Sequence, residues 1–222
     1  VRDYEEFSKA GYSDMEIEVL QEISNIGVGH AATALSQLLH RRVDMSIPYV
    51  ELVNYDKIGE RLVGSQENVV SSVLVDTYSM DDADKMLNFL LLFDEASAKN
   101  ILKILKTGSP PEDLSELDEV SSSIIEETGN ILLLHTISKI NEFSGTKWFP
   151  SPPQHSIDMV GAIIDEIISR DERAQNQFLL VECDVFTDEE RLKGLILIIP
   201  NEEALKLIMA KLYGEDFMDM MG

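Results

Sequence analysis

Cysteine and positive charge are both scarce in this chain of 222 residues. The single cysteine, Cys183, excludes a disulfide framework and any zinc site built on several thiolates. It sits in the apolar run Phe178–Cys183 and is expected to be a buried, inert thiol. Lys and Arg number 18 against 41 Asp and Glu, a formal net charge of −23. A chain this acidic is repelled by phosphate backbones and anionic headgroups, which argues against nucleic acid and membrane surfaces as partners and for a basic or neutral protein. Also missing is any apolar run of about 18 residues able to span a bilayer. The acidic start, Val1–Glu6, has neither the basic nor the apolar region of a signal peptide, so a reducing, cytoplasmic setting is expected. There is no phosphate-cradling glycine loop with Lys-Ser/Thr, no helical histidine pair for zinc, and no local signature of a serine or cysteine nucleophile. Asp81, Asp82 and Asp84 lack the spaced ligands of a calcium loop and read as a solvated turn.

What the chain does contain is a repeat. Glu22-Ile-Ser-Asn25 returns as Glu127-Thr-Gly-Asn130, 105 residues later, and Pro48 returns as Pro153 at the same offset. His30 and His135 share it and read as structural residues. Toward the end of each copy the offset grows to 107, where Lys99, Ile101 and Leu105 match Lys206, Ile208 and Leu212. Two internal repeats, about 13–108 and 114–214, are therefore expected within one domain spanning 1–222. Each opens with a long helix, about 17–39 and 117–143, the first behind the capping-box pattern Ser13-Asp-Met-Glu16. An extended segment follows each proline, then two strands (69–75 and 88–93; 178–186 and 194–199) and a closing helix (95–105; 202–212). Ile157, Val160, Ile163, Ile164 and Ile167 stand at helical spacing and set the second copy apart from the first. Neither copy has enough strands for a core of its own. The expected class is α+β, with two pseudo-symmetric halves sharing a β-sheet flanked by long helices.

Polar residues repeat with the frame. Glu18, Glu22, Asn25 and Gly29 form a stripe on the first helix, and Ser123, Glu127 and Asn130 form its counterpart on the second. Glutamate alone would suit a solvated face, but Asn is a mediocre mid-helix residue whose side chain competes for backbone hydrogen bonds. Gly27, Gly29 and Gly129 each cost about 1 kcal/mol relative to Ala and predict a close approach, of the two long helices or of a partner at the stripe.

These residues carry a resemblance to the CheC/CheX/FliY family of chemotaxis phosphatases. The family pattern is Asp or Ser, three residues, Glu, two residues, Asn, and about twenty-two residues to Pro. Ser123, Glu127, Asn130 and Pro153 fit it throughout; Glu22, Asn25 and Pro48 fit in the first copy, where Glu18 replaces Asp or Ser and Ser24 a common Gly. The doubled motif is most like the CheC branch. The resemblance implies hydrolysis of the aspartyl phosphate of the response regulator CheY. Asn25 or Asn130 would hold the attacking water, and Glu22 or Glu127 would dock to a regulator lysine. Glu18, Ser123, Pro48 and Pro153 would complete the partner surface. It implies no cofactor of the chain's own, since Mg2+ is held by CheY. It further implies that CheD docks near residues 157–166, where Val160 and Ile163 would belong to a partly exposed apolar face; the residues themselves equally allow a helix that covers the core. Other roles compatible with the same residues are the middle region of a FliY-type switch protein and a binding module without turnover.

Overall fold

The computed structural model describes residues 22, 32–37, 40, 42–54, 58, 64–79, 86–105, 111–170, 177–186, 191–201, 203–204, 207–208 and 210. Its strands are β1 (Asp44–Asn54), β2 (Val69–Val75), β3 (Thr77–Ser79), β4 (Leu87–Phe93), β5 (Trp148–Pro150), β6 (Gln154–Met159), β7 (Gln177–Phe186) and β8 (Arg191–Pro200). Its longer helices are α1 (Glu95–Leu105), α2 (Glu119–Ser144) and α3 (Val160–Arg170). Glu22 and residues 32–37 are also helical. Six strands form one antiparallel sheet in the order β1-β7-β8-β4-β2-β6, and β3 and β5 form a separate ribbon.

Read from either edge, that order places the first strand of one copy beside the second and third strands of the other. Each copy thus lends its leading strand across the sheet. At the centre, Leu90 of β4 faces Leu197 of β8, and both are fully buried. These two lie 107 residues apart, the offset of the matching tails, so the pseudo-two-fold axis runs through this pair. Strands of both halves thus share one six-stranded sheet.

The central strands are apolar on both faces because helices cover both. On one face Val73, Val75, Phe89, Leu91, Val181 and Ile196 pack with residues of α1 and α2 and with Leu35. On the other, Leu74, Leu90, Leu92, Leu180 and Leu197 pack with α3 and Ile58. Among the described residues no helix is long and apolar enough to cross a membrane. Cys183 faces Gly194 in the β7–β8 register.

The expected apolar docking face around Val160 and Ile163 is not exposed. Val160 is fully buried and Ile163 retains 6% of its surface, because α3 spends its whole apolar stripe on the sheet. Ile157 belongs to β6 and not to that helix. The departure of the second copy from the first is also smaller than expected. Ile58 is helical and buried in the same layer as Ile163, 105 residues later.

Between the long helix and the next strand both copies use one device with different side chains. The Val43 amide donates to Ser36 Oγ at 3.0 Å, and the single proton of that hydroxyl has the Ala32 carbonyl at 2.9 Å and the Val43 carbonyl at 3.3 Å within reach. At the same offset, the Trp148 amide donates to Asn141 Oδ1 at 2.8 Å, and Asn141 Nδ2 donates to the Trp148 carbonyl at 3.0 Å. The turn between them needs a left-handed residue, His40 (φ 50°) in one copy and Gly145 (φ 67°) in the other. The closing helices also start alike: Asp94 Oδ1 accepts from the Ser97 amide at 2.7 Å, and Asn201 Oδ1 from the Ala204 amide at 2.8 Å.

Candidate functional site

Helix α2 begins where Asp118 caps it, accepting from the Ser121 amide at 2.7 Å. Ile125, Leu132, Leu133, Ile137 and Ile140 point into the core. Gly129 lies on that same inner side. A Cβ there would come within 2.6 Å of Val73 Cγ2 and 2.8 Å of Val73 Cβ. The glycine therefore serves neither helix–helix contact nor a partner at the stripe; it lets α2 lie flush on β2.

That seating turns the opposite side outward. Ser123 and Glu127 are exposed and Asn130 is half-buried, one above the next at spacings of four and three. Asn130 Nδ2 donates to Glu127 Oε2 at 3.4 Å, near the long limit for a hydrogen bond. A carboxamide carries two donor hydrogens and an acceptor oxygen, so this one weak contact leaves Asn130 with capacity for water. Being uncharged, it does not repel phosphoryl oxygens.

Beside Ser123 and Glu127 lies an open hollow of about 500 Å³. Leu105, Val120, Ile124 and Thr128 line it together with Glu119, and the lining is chiefly apolar. The Thr128 hydroxyl already donates to the Ile124 carbonyl at 2.7 Å, so the floor presents chiefly hydrocarbon. Sequence reasoning passed over this feature. Its signal was Val120 itself, an apolar residue that extends the polar stripe of Ser123 and Glu127 by one more step of three.

In the first copy, Glu22 is helical and exposed, while Glu18, Asn25 and the glycines Gly27 and Gly29 lie outside the described residues. So do the Ser13–Glu16 cap, His30 and the Asp81–Asp84 turn. Pro48 falls where the β1–β7 register skips between Ser46 and Tyr49, a place suited to a residue without an amide hydrogen. Pro153 is half-buried on the connection between β5 and β6, and His135 is exposed on α2. Among the described residues no group of three or more His, Cys, Asp or Glu is placed to hold a metal ion.

One histidine has a distinct environment. His155 of β6 is half-buried, with Nε2 2.9 Å from the hydroxyl of the buried Ser71. Burial holds its imidazole below the usual histidine range, and the Glu126 carboxylate on α2 opposes that shift.

The sequence and fold have known counterparts. The model of the CheC-like family matches residues 15–52. The CheY-P phosphatase CheC of Bacillus subtilis (strain 168) is 28% identical over 206 residues, covering 91% of this chain and 96% of the relative. Among solved structures, Thermotoga maritima FliY superimposes with a TM-score of 0.63 at 20% identity, covering 90% of this chain and 97% of that one. A chain of the FliM–SpeE complex from H. pylori does so with a TM-score of 0.65 at 12% identity, covering 93% and 99%. At these identities the two structural matches establish the shared α+β fold.

Proposed function

We propose, from the premise that the chain is CheC-like in sequence and in fold, that it hydrolyses the aspartyl phosphate of a CheY-type response regulator. The observation that carries this reading is the alignment of Ser123, Glu127 and Asn130 on one outward helix face, with the Asn130 amide beside the Glu127 carboxylate. The same Glu-x-x-Asn recurs at Glu22 and Asn25.

An acyl phosphate is already reactive, so a catalyst needs chiefly to place water in line with phosphorus and to exclude wrong geometries. Asn130 does the first: its carbonyl oxygen accepts from the water while its amide hydrogens face phosphoryl oxygen. Glu127 forms an ion pair with a lysine of the regulator and fixes the register of docking. Ser123 and Pro153 complete that surface. Glu22 and Asn25 do the same in the first copy, together with Pro48. There Glu18 sets a second carboxylate four residues before Glu22, and the repulsion weakens docking. Mg2+ belongs to the regulator, and no residue of this chain becomes phosphorylated. CheD is the second proposed partner. With Val160 and Ile163 buried, it would meet α3 through the exposed side bearing Asp165 and Glu166.

The test is phosphate release from phosphorylated CheY by Asn25→Ala, Asn130→Ala and the double variant. The double variant is expected to lose on the order of 100-fold in rate, with Asn130→Ala the more damaging single change. Wild-type release by the double variant would overturn the assignment. A binding-only role at the same surface is the alternative. It predicts capture of BeF3−-loaded CheY with no phosphate release above the regulator's own rate.

A further inference from the structure

We infer that the hollow beside Glu127 is the seat of one basic side chain of the partner protein, holding its aliphatic stem as well as its charge. This rests on the docking role proposed for Glu127 and names the surface that makes that contact selective.

Its lining is chiefly apolar, with Leu105, Val120 and Ile124, and it also includes Glu119 and Glu127. Val120 keeps 60% of its surface, the largest exposure of any described bulky apolar residue. An apolar hollow lined in part by two acidic residues fits neither a purely apolar group nor a compact ion. It fits a side chain with three or four methylenes and a cationic end, which is lysine or arginine. An apolar side chain would strand the two carboxylates under a desolvating cover, and an acidic one would be repelled by them.

Among the described residues, the neighbouring lysines Lys99 and Lys103 do not fill the role. Lys99 pairs with Glu95 at 2.6 Å and also donates to the Glu112 carbonyl, and Lys103 donates to Asn100 Oδ1 at 3.1 Å. Among the described residues Glu127 contacts only the Asn130 amide. The charge complementarity is therefore left for a partner. Across the repeat, Val120 and Ile124 correspond to Met15 and Val19, so the sequence keeps apolar residues at both positions in the first copy.

Packing the stem against Val120 and Ile124 immobilises the basic side chain before its charge reaches Glu127. Val120 is thus a specificity-determining residue with no contact to the reacting atoms. Its contribution falls on association and leaves the chemical step alone. Substitution of Val120 should move KM, whereas substitution of Asn130 should move kcat.

The experiment uses the Asn25→Ala background, so that only the second copy turns over, and measures phosphate release across a range of phosphorylated CheY. Val120→Asn is expected to raise KM about tenfold and Val120→Ala about threefold, with kcat within twofold of the background. Binding of BeF3−-loaded CheY should weaken by the same factors. Because Val120 is exposed, thermal melting should stay at the background value and report intact folding. An unchanged KM in Val120→Asn overturns the inference, as does an equal loss of kcat in Val120→Ala. Asn130→Ala run beside them separates the two levels: if it abolishes release while Val120→Asn does nothing, the hollow fails and the phosphatase reading stands.

Discussion

The two copies of the repeat accomplish several structural tasks with different residues, keep some core residues such as Ile101 and Ile208, and also share residues on an exposed face. The clasp between long helix and strand uses Ser36 on Val43 in the first copy and Asn141 on Trp148 in the second. The left-handed turn uses His40 and then Gly145, and the closing helices are capped by Asp94 and then Asn201. Backbone geometry tolerates such exchanges, because a hydroxyl and an amide satisfy the same donor and acceptor. Glu22 and Glu127 are identical, although both are exposed and neither supports the core. Asn25 and Asn130 are identical too. Core packing does not account for the shared exposed glutamates.

The sharpest way to break the parallel is at Gly129, whose counterpart is Ser24. Gly→Ala inside a helix ordinarily stabilises by about 1 kcal/mol. Here the added Cβ meets Val73, whose branch at Cβ leaves few rotamers to retreat into. Gly129→Ala is expected to destabilise by about 1–2 kcal/mol net, and Gly129→Ser, which copies the first half, by about 2–3 kcal/mol with a buried hydroxyl added. Chemical denaturation reads both. A gain in stability for the alanine variant would mean that α2 does not lie flush on β2.

A smaller effect tests the turns. Gly145→Ala places a Cβ at φ 67° and is expected to cost about 1 kcal/mol, or a few degrees in Tm. His40→Gly relieves a similar strain in the other copy but frees the unfolded chain, so its gain should stay below about 0.5 kcal/mol. Equal and opposite shifts from the two variants would contradict this asymmetry.

Much of this architecture was legible from the chain. The offset of 105 residues located the copies, and apolar runs located β2 and β4 because strands buried on both faces lack alternation. The exchange of β1 and β6 between halves was not legible, because periodicity reports which residues are buried and not which strand lies alongside. The same limit explains α3. Val160 and Ile163 show an amphipathic pattern whether their apolar side meets a partner or the sheet, and only the packing decides. The Glu-x-x-Asn stripe was readable from helical spacing alone. The hollow next to it was not, because Leu105 reaches it from a different helix.

The last contrast concerns the two edge strands, where His155 of β6 stands 105 residues after Val50 of β1. Valine does not titrate, so any pH dependence from this position belongs to the second half. Burial lowers the folded-state affinity of His155 for a proton, and Glu126 only partly restores it. The unfolded chain therefore binds more protons than the folded one as pH drops through the ordinary histidine range. The stabilisation is complete above about pH 6.5 and is lost as pH falls through the lower folded value. His155→Gln keeps a polar group for the Ser71 hydroxyl and cannot acquire charge. The expected outcome is a shallower fall in Tm between pH 7.5 and 5.5 than in the unsubstituted chain, with little change at pH 7.5. Parallel melting curves with identical slopes against pH would show that His155 does not carry the difference between the edges.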